Sequence, residues 1–190
     1  MAKSIILDGV DPKKAWIQVG SGGQFHILEP QQDEIFIEDI GYALSKMCRF
    51  TGHTRKFYSV AEHSVYVSRV VPAKDALWGL MHDASESYIA DLNRPLKHFT
   101  QVGPTYMEVE KIVQDAICVK FRLPLEQPAS VHDADNALLY AEKTQLLPPM
   151  DWGTKWGKDD KPADVKIKCW SPEVAAVEFL HRFYELTGQI

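Results

Sequence analysis

From Ile35 onward, apolar residues recur at intervals of three and four, the period of an amphipathic helix. Ile40, Ala43, Leu44 and Met47 form one stripe, and Ser59 to Val71 carries Val60, Val67, Val70 and Val71. The stretch from Lys74 to about Ala90 holds Leu77, Trp78, Leu80, Met81 and Ala84. Tyr106 to Phe121 and Val131 to Leu147 continue the pattern, with Pro72, Arg94-Pro95-Leu96, Pro124, Pro128 and Pro148-Pro149 as breaks. Ser171-Pro172 starts a last helix, serine as its cap and proline in its first turn, and Thr187-Gly188 ends it. The periodicity gives about six helices.

Residues 1–33 read differently. Ala15–Val19 and Gln24–Leu28 alternate on either side of Gly20-Ser21-Gly22-Gly23, a hairpin too small to stand alone. The expected fold is an all-α bundle with a short N-terminal β-hairpin. It forms one domain over residues 1–190, with 1–33 as a hairpin appendage and 34–190 as the helical body. Residues 150–170, rich in Trp, Gly, Lys and Asp, read as a loop or flap, with Trp152 and Trp156 as a lid or as anchors.

Composition narrows the function. The 190 residues carry 21 basic and 26 acidic side chains, a net charge of −5, which disfavours stable nucleic-acid binding. Cys48, Cys118 and Cys169 are far apart and odd in number, so neither a disulfide framework nor a thiolate zinc site is expected. The reading is cytoplasmic, without a signal peptide and without a membrane span, since no run of about 18 apolar residues occurs.

Polar residues intrude on three of the apolar patterns. His82, Asp83 and Glu86 sit in the helix of Trp78, Leu80 and Met81, with His82 and Glu86 four apart on one face. His63 lies in an upstream helix and Asp135 in a downstream one. Imidazole and carboxylate on core-facing helix positions are costly unless paired or bound to a cation. Four such ligands from three helices suit a hard-to-borderline divalent ion: Mn, Fe, Co, Ni, Zn or Mg.

These residues follow the order of a known family. His63, His82-Asp83 and Asp135 resemble the H…HD…D signature of the HD-domain phosphohydrolases. The likeness extends over roughly Asp39 to Leu147. Its runs are Cys48-Arg49-Phe50-Thr51-Gly52-His53, Phe57-Tyr58-Ser59-Val60-Ala61-Glu62-His63-Ser64, Leu80-Met81-His82-Asp83-Ala84-Ser85-Glu86 and Pro95-Leu96-Lys97. They are similar to small bacterial and phage HD proteins of the YfbR/YfdR type, a group that includes the phage dATP triphosphohydrolases of the DatZ type, which serve 2-aminoadenine genomes.

The resemblance implies an HD-domain helical bundle. It implies His63, His82, Asp83 and Asp135 as metal ligands, and Glu86 and Asp91 in the catalytic neighbourhood, with room for a second ion. It also implies Arg49 and Lys97 as phosphate clamps, His53 as a further donor and Phe50 as a stacking surface for a base. The implied activity is deoxynucleotide phosphohydrolysis, with dATP the favoured substrate, deoxyadenosine and triphosphate the products, and a homo-oligomer from dimer to hexamer as the assembly. A 5'-deoxynucleotidase acting on monophosphates, an alarmone hydrolase and a non-catalytic nucleotide sensor are the rivals. His132-Asp133 lacks the Ala-Ser-Glu continuation and is set aside. His26, His98 and His181 read as surface or packing histidines, and Glu142 as a structural partner for a basic residue.

Overall fold

The computed structural model describes residues 5–6, 8–149 and 161–189; Trp152 and Trp156 lie outside them. The fold is mostly helical with one two-stranded antiparallel hairpin, as the periodicity predicts. Strands β1 (Trp16–Gln18) and β2 (Gln24–His26) pair Ile17 with Phe25. Helices follow as α1 (Ile37–Lys46), α2 (Val60–Val70), α3 (Ala76–Met81), α4 (Glu86–Ile89), α5 (Arg94–Phe99), α6 (Val102–Phe121), α7 (Ala129–Leu146) and α8 (Pro172–Thr187).

The hairpin is fastened to the body at two points. Phe25 is fully buried and stacks on Tyr88, with ring centroids 3.6 Å apart. At the turn, the Ser21 amide and hydroxyl donate to the two oxygens of Asp39 at 2.7 and 2.8 Å.

Helix α2 is the hub. It packs against α1, α3, α7 and α8, and Val60 through Ser68 are all buried. Ser59 caps it by accepting from the Glu62 amide at 3.1 Å. A helix buried all round is normally apolar, yet this one carries Glu62, His63 and Ser64 inside. Glu62 is matched by three backbone amides: those of Lys168 and Cys169 donate to one oxygen at 3.0 Å and that of Trp170 to the other at 2.7 Å.

Two expectations are corrected and a third is refined. The Lys74–Ala90 helix is not continuous. Between α3 and α4 the backbone tightens to bonds three residues apart: Ala84 to Met81, Glu86 to Asp83 and Tyr88 to Ser85, at 3.0–3.1 Å. Arg94-Pro95-Leu96 is not a break but the start of α5. Proline in a first turn sacrifices no intrahelical bond, and Asn93 caps that turn by accepting from the Leu96 amide at 3.1 Å. Residues 161–170 are a loop, as expected, but not a free flap: Ala163, Val165, Ile167 and Cys169 face inward in alternation and pack on the core, so the segment is a strap.

The α2–α3 contact depends on Gly79. A Cβ there would lie 3.1 Å from Val71 Cγ2 and 3.2 Å from the Ser68 Cα, and that backbone cannot yield cheaply. Gly79→Ala is expected to cost about 1–3 kcal/mol in urea unfolding, the range for overpacking a close contact.

Candidate metal centre

His63 and His82 approach each other from α2 and the end of α3. Their Nε2 atoms are 3.2 Å apart. Asp83 Oδ2 lies 3.1 Å from His82 Nε2 and 3.8 Å from His63 Nε2. One donor atom from each of the three residues falls within 4.8 Å of the others, so this group can hold a metal ion. Asp135 Oδ1, from α7, is 3.1 Å from His63 Nε2. The fourth residue anticipated from sequence is therefore on the same side of His63.

The outward nitrogens are fixed. His63 Nδ1 donates to Glu142 Oε1 at 2.6 Å, and His82 Nδ1 donates to the Gly79 carbonyl at 2.9 Å. Each neutral ring then turns an unprotonated Nε2 towards the other. That contact is repulsive unless a proton or a cation lies between the two nitrogens. The arrangement thus fits a cation by the chemistry of its own donors.

Charge on the carboxylates follows the same geometry. Burial opposes ionisation of Asp83, but His82, His63 and Arg49 hold it down at about 2. Asp135 is lowered further: burial is outweighed by its hydrogen bond to His63 and by the charges of His63, His82 and Arg49. For His63, burial and Arg49 disfavour the charged form, while Glu142 and Asp135 prevail and raise it to about 9.

Glu142 is the residue that sequence placed only as a structural partner, and that role is confirmed and enlarged. It is fully buried and accepts from Tyr58 Oη at 2.7 Å, from His63 Nδ1 and from Arg49 Nη2 at 3.2 Å. Tyr58 and Glu62 were not anticipated. A Tyr-Ser-Val-Ala-Glu run carries no signal that its phenol and carboxylate are internal.

The two aspartates of the centre, Asp83 and Asp135, line a cavity of about 710 Å³ together with Glu86. The tightened turn changes which residues converge: with bonds three apart, positions i and i+3 eclipse. Asp83 and Glu86 both turn into the cavity, whereas the expected pairing of His82 with Glu86 assumed a regular helix. Glu86 is 6% exposed, and its Oε2 has no hydrogen-bond partner among the described residues. Burial, then Asp83, then Asp91 push its carboxyl well above the usual range. Asp91 also lines the cavity and is raised by burial.

The expected substrate-binding residues all reach this cavity. Arg49, Phe50, His53 and Lys97 line it. Arg49 is already committed to acids: Nη1 lies 3.4 Å from Asp83 and Nη2 3.2 Å from Glu142. Lys97 Nζ donates to Glu110 at 2.8 Å while lying 5.1 Å from the Tyr106 ring centre. His98, read from sequence as surface or packing, lines the cavity. His132 is exposed and bonds to Asn136 instead.

Arg49 and Phe50 are held by a strained turn. Phe50, Thr51 and Gly52 are three consecutive residues with φ of 54°, 53° and 79°. For the two non-glycine residues this costs of order 1–3 kcal/mol each and persists only where the surroundings enforce it. The Arg49 amide donates to the Tyr58 carbonyl at 2.9 Å, and the Arg55 amide to the Leu146 carbonyl at 3.0 Å, which clamps both ends.

An all-α fold around a two-histidine, one-aspartate group that can hold a metal defines the class. No family model matches the chain. It belongs to the family of the uncharacterized protein YfdR of Escherichia coli. The two are 38% identical over 142 residues, which cover 75% of this chain and 77% of that protein. An uncharacterized protein of Rhodobacter capsulatus is 34% identical over 163 residues, covering 78% of the chain and 82% of the relative.

Proposed function

We propose that the chain is a metal-dependent phosphohydrolase of deoxynucleotides with an HD-type centre, in its sharpest form a dATP triphosphohydrolase. The observation that carries this reading is that Asp83 of the His63–His82–Asp83 group shares one cavity with Glu86, whose buried Oε2 has no hydrogen-bond partner among the described residues. His63, His82, Asp83 and Asp135 hold a divalent ion, drawn from Mn, Fe, Co, Ni, Zn and Mg by the donor types. When bound, the ion supplies Lewis acidity, acidifying water and offsetting charge on phosphorus.

The chain's own residues do the rest. Glu86 Oε2 accepts the proton of the attacking water, and a carboxyl raised by burial suits a group that takes a proton and returns it. Water adds to the α-phosphorus, the bond to the 5' oxygen breaks, and that oxygen leaves with a proton, giving deoxyadenosine and triphosphate. Arg49, Lys97 and His53 face the phosphates. Phe50 offers its ring to the base. The three cysteines are free thiols, which supports a cytoplasmic site of action. Among the described residues no helix is long and apolar enough to cross a membrane.

The test is a panel of each dNTP and dNMP with Mn or Co, products separated by chromatography. Triphosphate from dATP supports the reading. Phosphate from monophosphates alone replaces it with a 5'-deoxynucleotidase, and binding without product replaces it with a sensor. In the same assay Glu86→Gln is expected to retain metal and lose about 10²–10⁴-fold in kcat, the usual worth of a general acid–base group. Unchanged kcat would move the proton acceptor elsewhere.

A further inference from the structure

Asp91 is delivered to the cavity by an unusual piece of backbone. Ala90, the residue before it, has φ 67° and ψ 159°. That region is essentially reserved for glycine, because a Cβ crowds the adjoining carbonyl. Nothing in the local sequence stabilises it: α4 ends at Ile89, the Ala90 amide closes the last turn on the Glu86 carbonyl at 2.8 Å, and Asn93 begins the cap of α5. The restraint comes from a different helix. Tyr106, in α6, donates its hydroxyl proton to the Ala90 carbonyl. The hydroxyl therefore grips the chain directly before Asp91. The Tyr106 ring meanwhile faces the Lys97 ammonium. Sequence reading treated Tyr106 only as the start of a helix.

We propose that Tyr106 is a positioning residue for this centre: by holding the Ala90 carbonyl it keeps the adjoining Asp91 carboxylate in the cavity beside Glu86. The Ala90 amide is fixed on the Glu86 carbonyl and the Ala90 carbonyl on Tyr106, so the unusual conformation is held from both ends of one residue. Release of the hydroxyl lets Ala90 return to an ordinary conformation, and a rotation there swings Asp91 away from the cavity. The role rests on the phosphohydrolase reading for its effect on turnover, but the anchor itself does not.

Tyr106→Phe keeps the ring, its packing and the Lys97 contact, and removes only the hydroxyl. Two readouts decide. Hydrogen exchange of the segment Ser87–Leu92 is expected to quicken at least tenfold in Tyr106→Phe, measured on the full chain. With dATP and Mn, kcat is expected to fall at least tenfold while KM stays within twofold, since the cationic wall is intact. Adding Ala90→Gly removes the penalty of the unusual conformation, so the double variant is expected to regain at least half of the lost kcat. A merely structural tyrosine gives no such rescue, because glycine restores no packing. Ala90→Gly alone is expected to raise the thermal midpoint.

Unchanged exchange in Tyr106→Phe, a double variant no better than the single, or a lowered midpoint for Ala90→Gly overturns the proposal. A parent protein without turnover whose exchange still responds to Tyr106→Phe removes the phosphohydrolase reading and leaves the anchor standing.

Discussion

Asp83→Ala is expected to yield a folded, helical protein that neither retains a divalent ion through gel filtration nor turns over nucleotide. Asp83 is the one residue of the group that serves both the histidines and Arg49. Its Oδ2 is within 3.1 Å of His82 Nε2 and 3.4 Å of Arg49. Loss of the ion removes several kcal/mol of charge stabilisation, and each 1.36 kcal/mol is tenfold, so turnover should fall by about 10³-fold or more. The fold should survive because Asp83 is partly exposed and Arg49 keeps Glu142 as a partner. Metal content by elemental analysis and helicity by circular dichroism check the two halves. An Asp83→Ala protein that keeps both its metal and its rate would remove the centre from the account.

Glu142→Ala is expected to give the largest stability loss among these variants. Glu142 is fully buried, and three groups depend on it: the Tyr58 hydroxyl, His63 Nδ1 and the Arg49 guanidinium. Removing one partner of a buried ion pair strands the other, at about 3–5 kcal/mol. Ionisation of Glu142 itself is favoured against its burial by Arg49 and His63, which holds its carboxyl below the usual range. Glu142→Gln keeps the shape and an acceptor oxygen but removes the charge: His63 loses the anionic partner that raises its basicity as a ligand, and metal affinity should drop 10–100-fold. Denaturant unfolding and metal titration separate the two quantities. Equal stability for Glu142→Ala and the parent would show that Arg49 finds another buried partner.

How much of this was legible before the structure depends on the kind of signal. His63, His82, Asp83 and Asp135 stood out because imidazole and carboxylate interrupt apolar helix patterns, and interruption is visible in one dimension. The overwound turn at His82–Ser85 was not visible, because hydrogen bonds three and four residues apart serve the same residue types. The left-handed run at Phe50–Thr51 was hidden for a related reason: neither residue advertises positive φ, and the clamps at its ends come from Tyr58 and Leu146. The strap is irregular backbone, as its composition suggests, but its attachment was not read: Ala163, Val165, Ile167 and Cys169 alternate cleanly and pack on the core. Glu62 could only be understood in three dimensions, since its partners are backbone amides more than 100 residues away.

That last attachment links two events that would otherwise be independent. The carboxylate next to His63 in sequence is the one that grips Lys168, Cys169 and Trp170, directly before α8. Peeling α8 from the bundle therefore strands a buried negative charge beside the histidine and loosens the ring's footing. Ion occupancy and attachment of α8 become a single thermodynamic cycle: whatever free energy an ion gains from His63 is added to the work of detaching that helix.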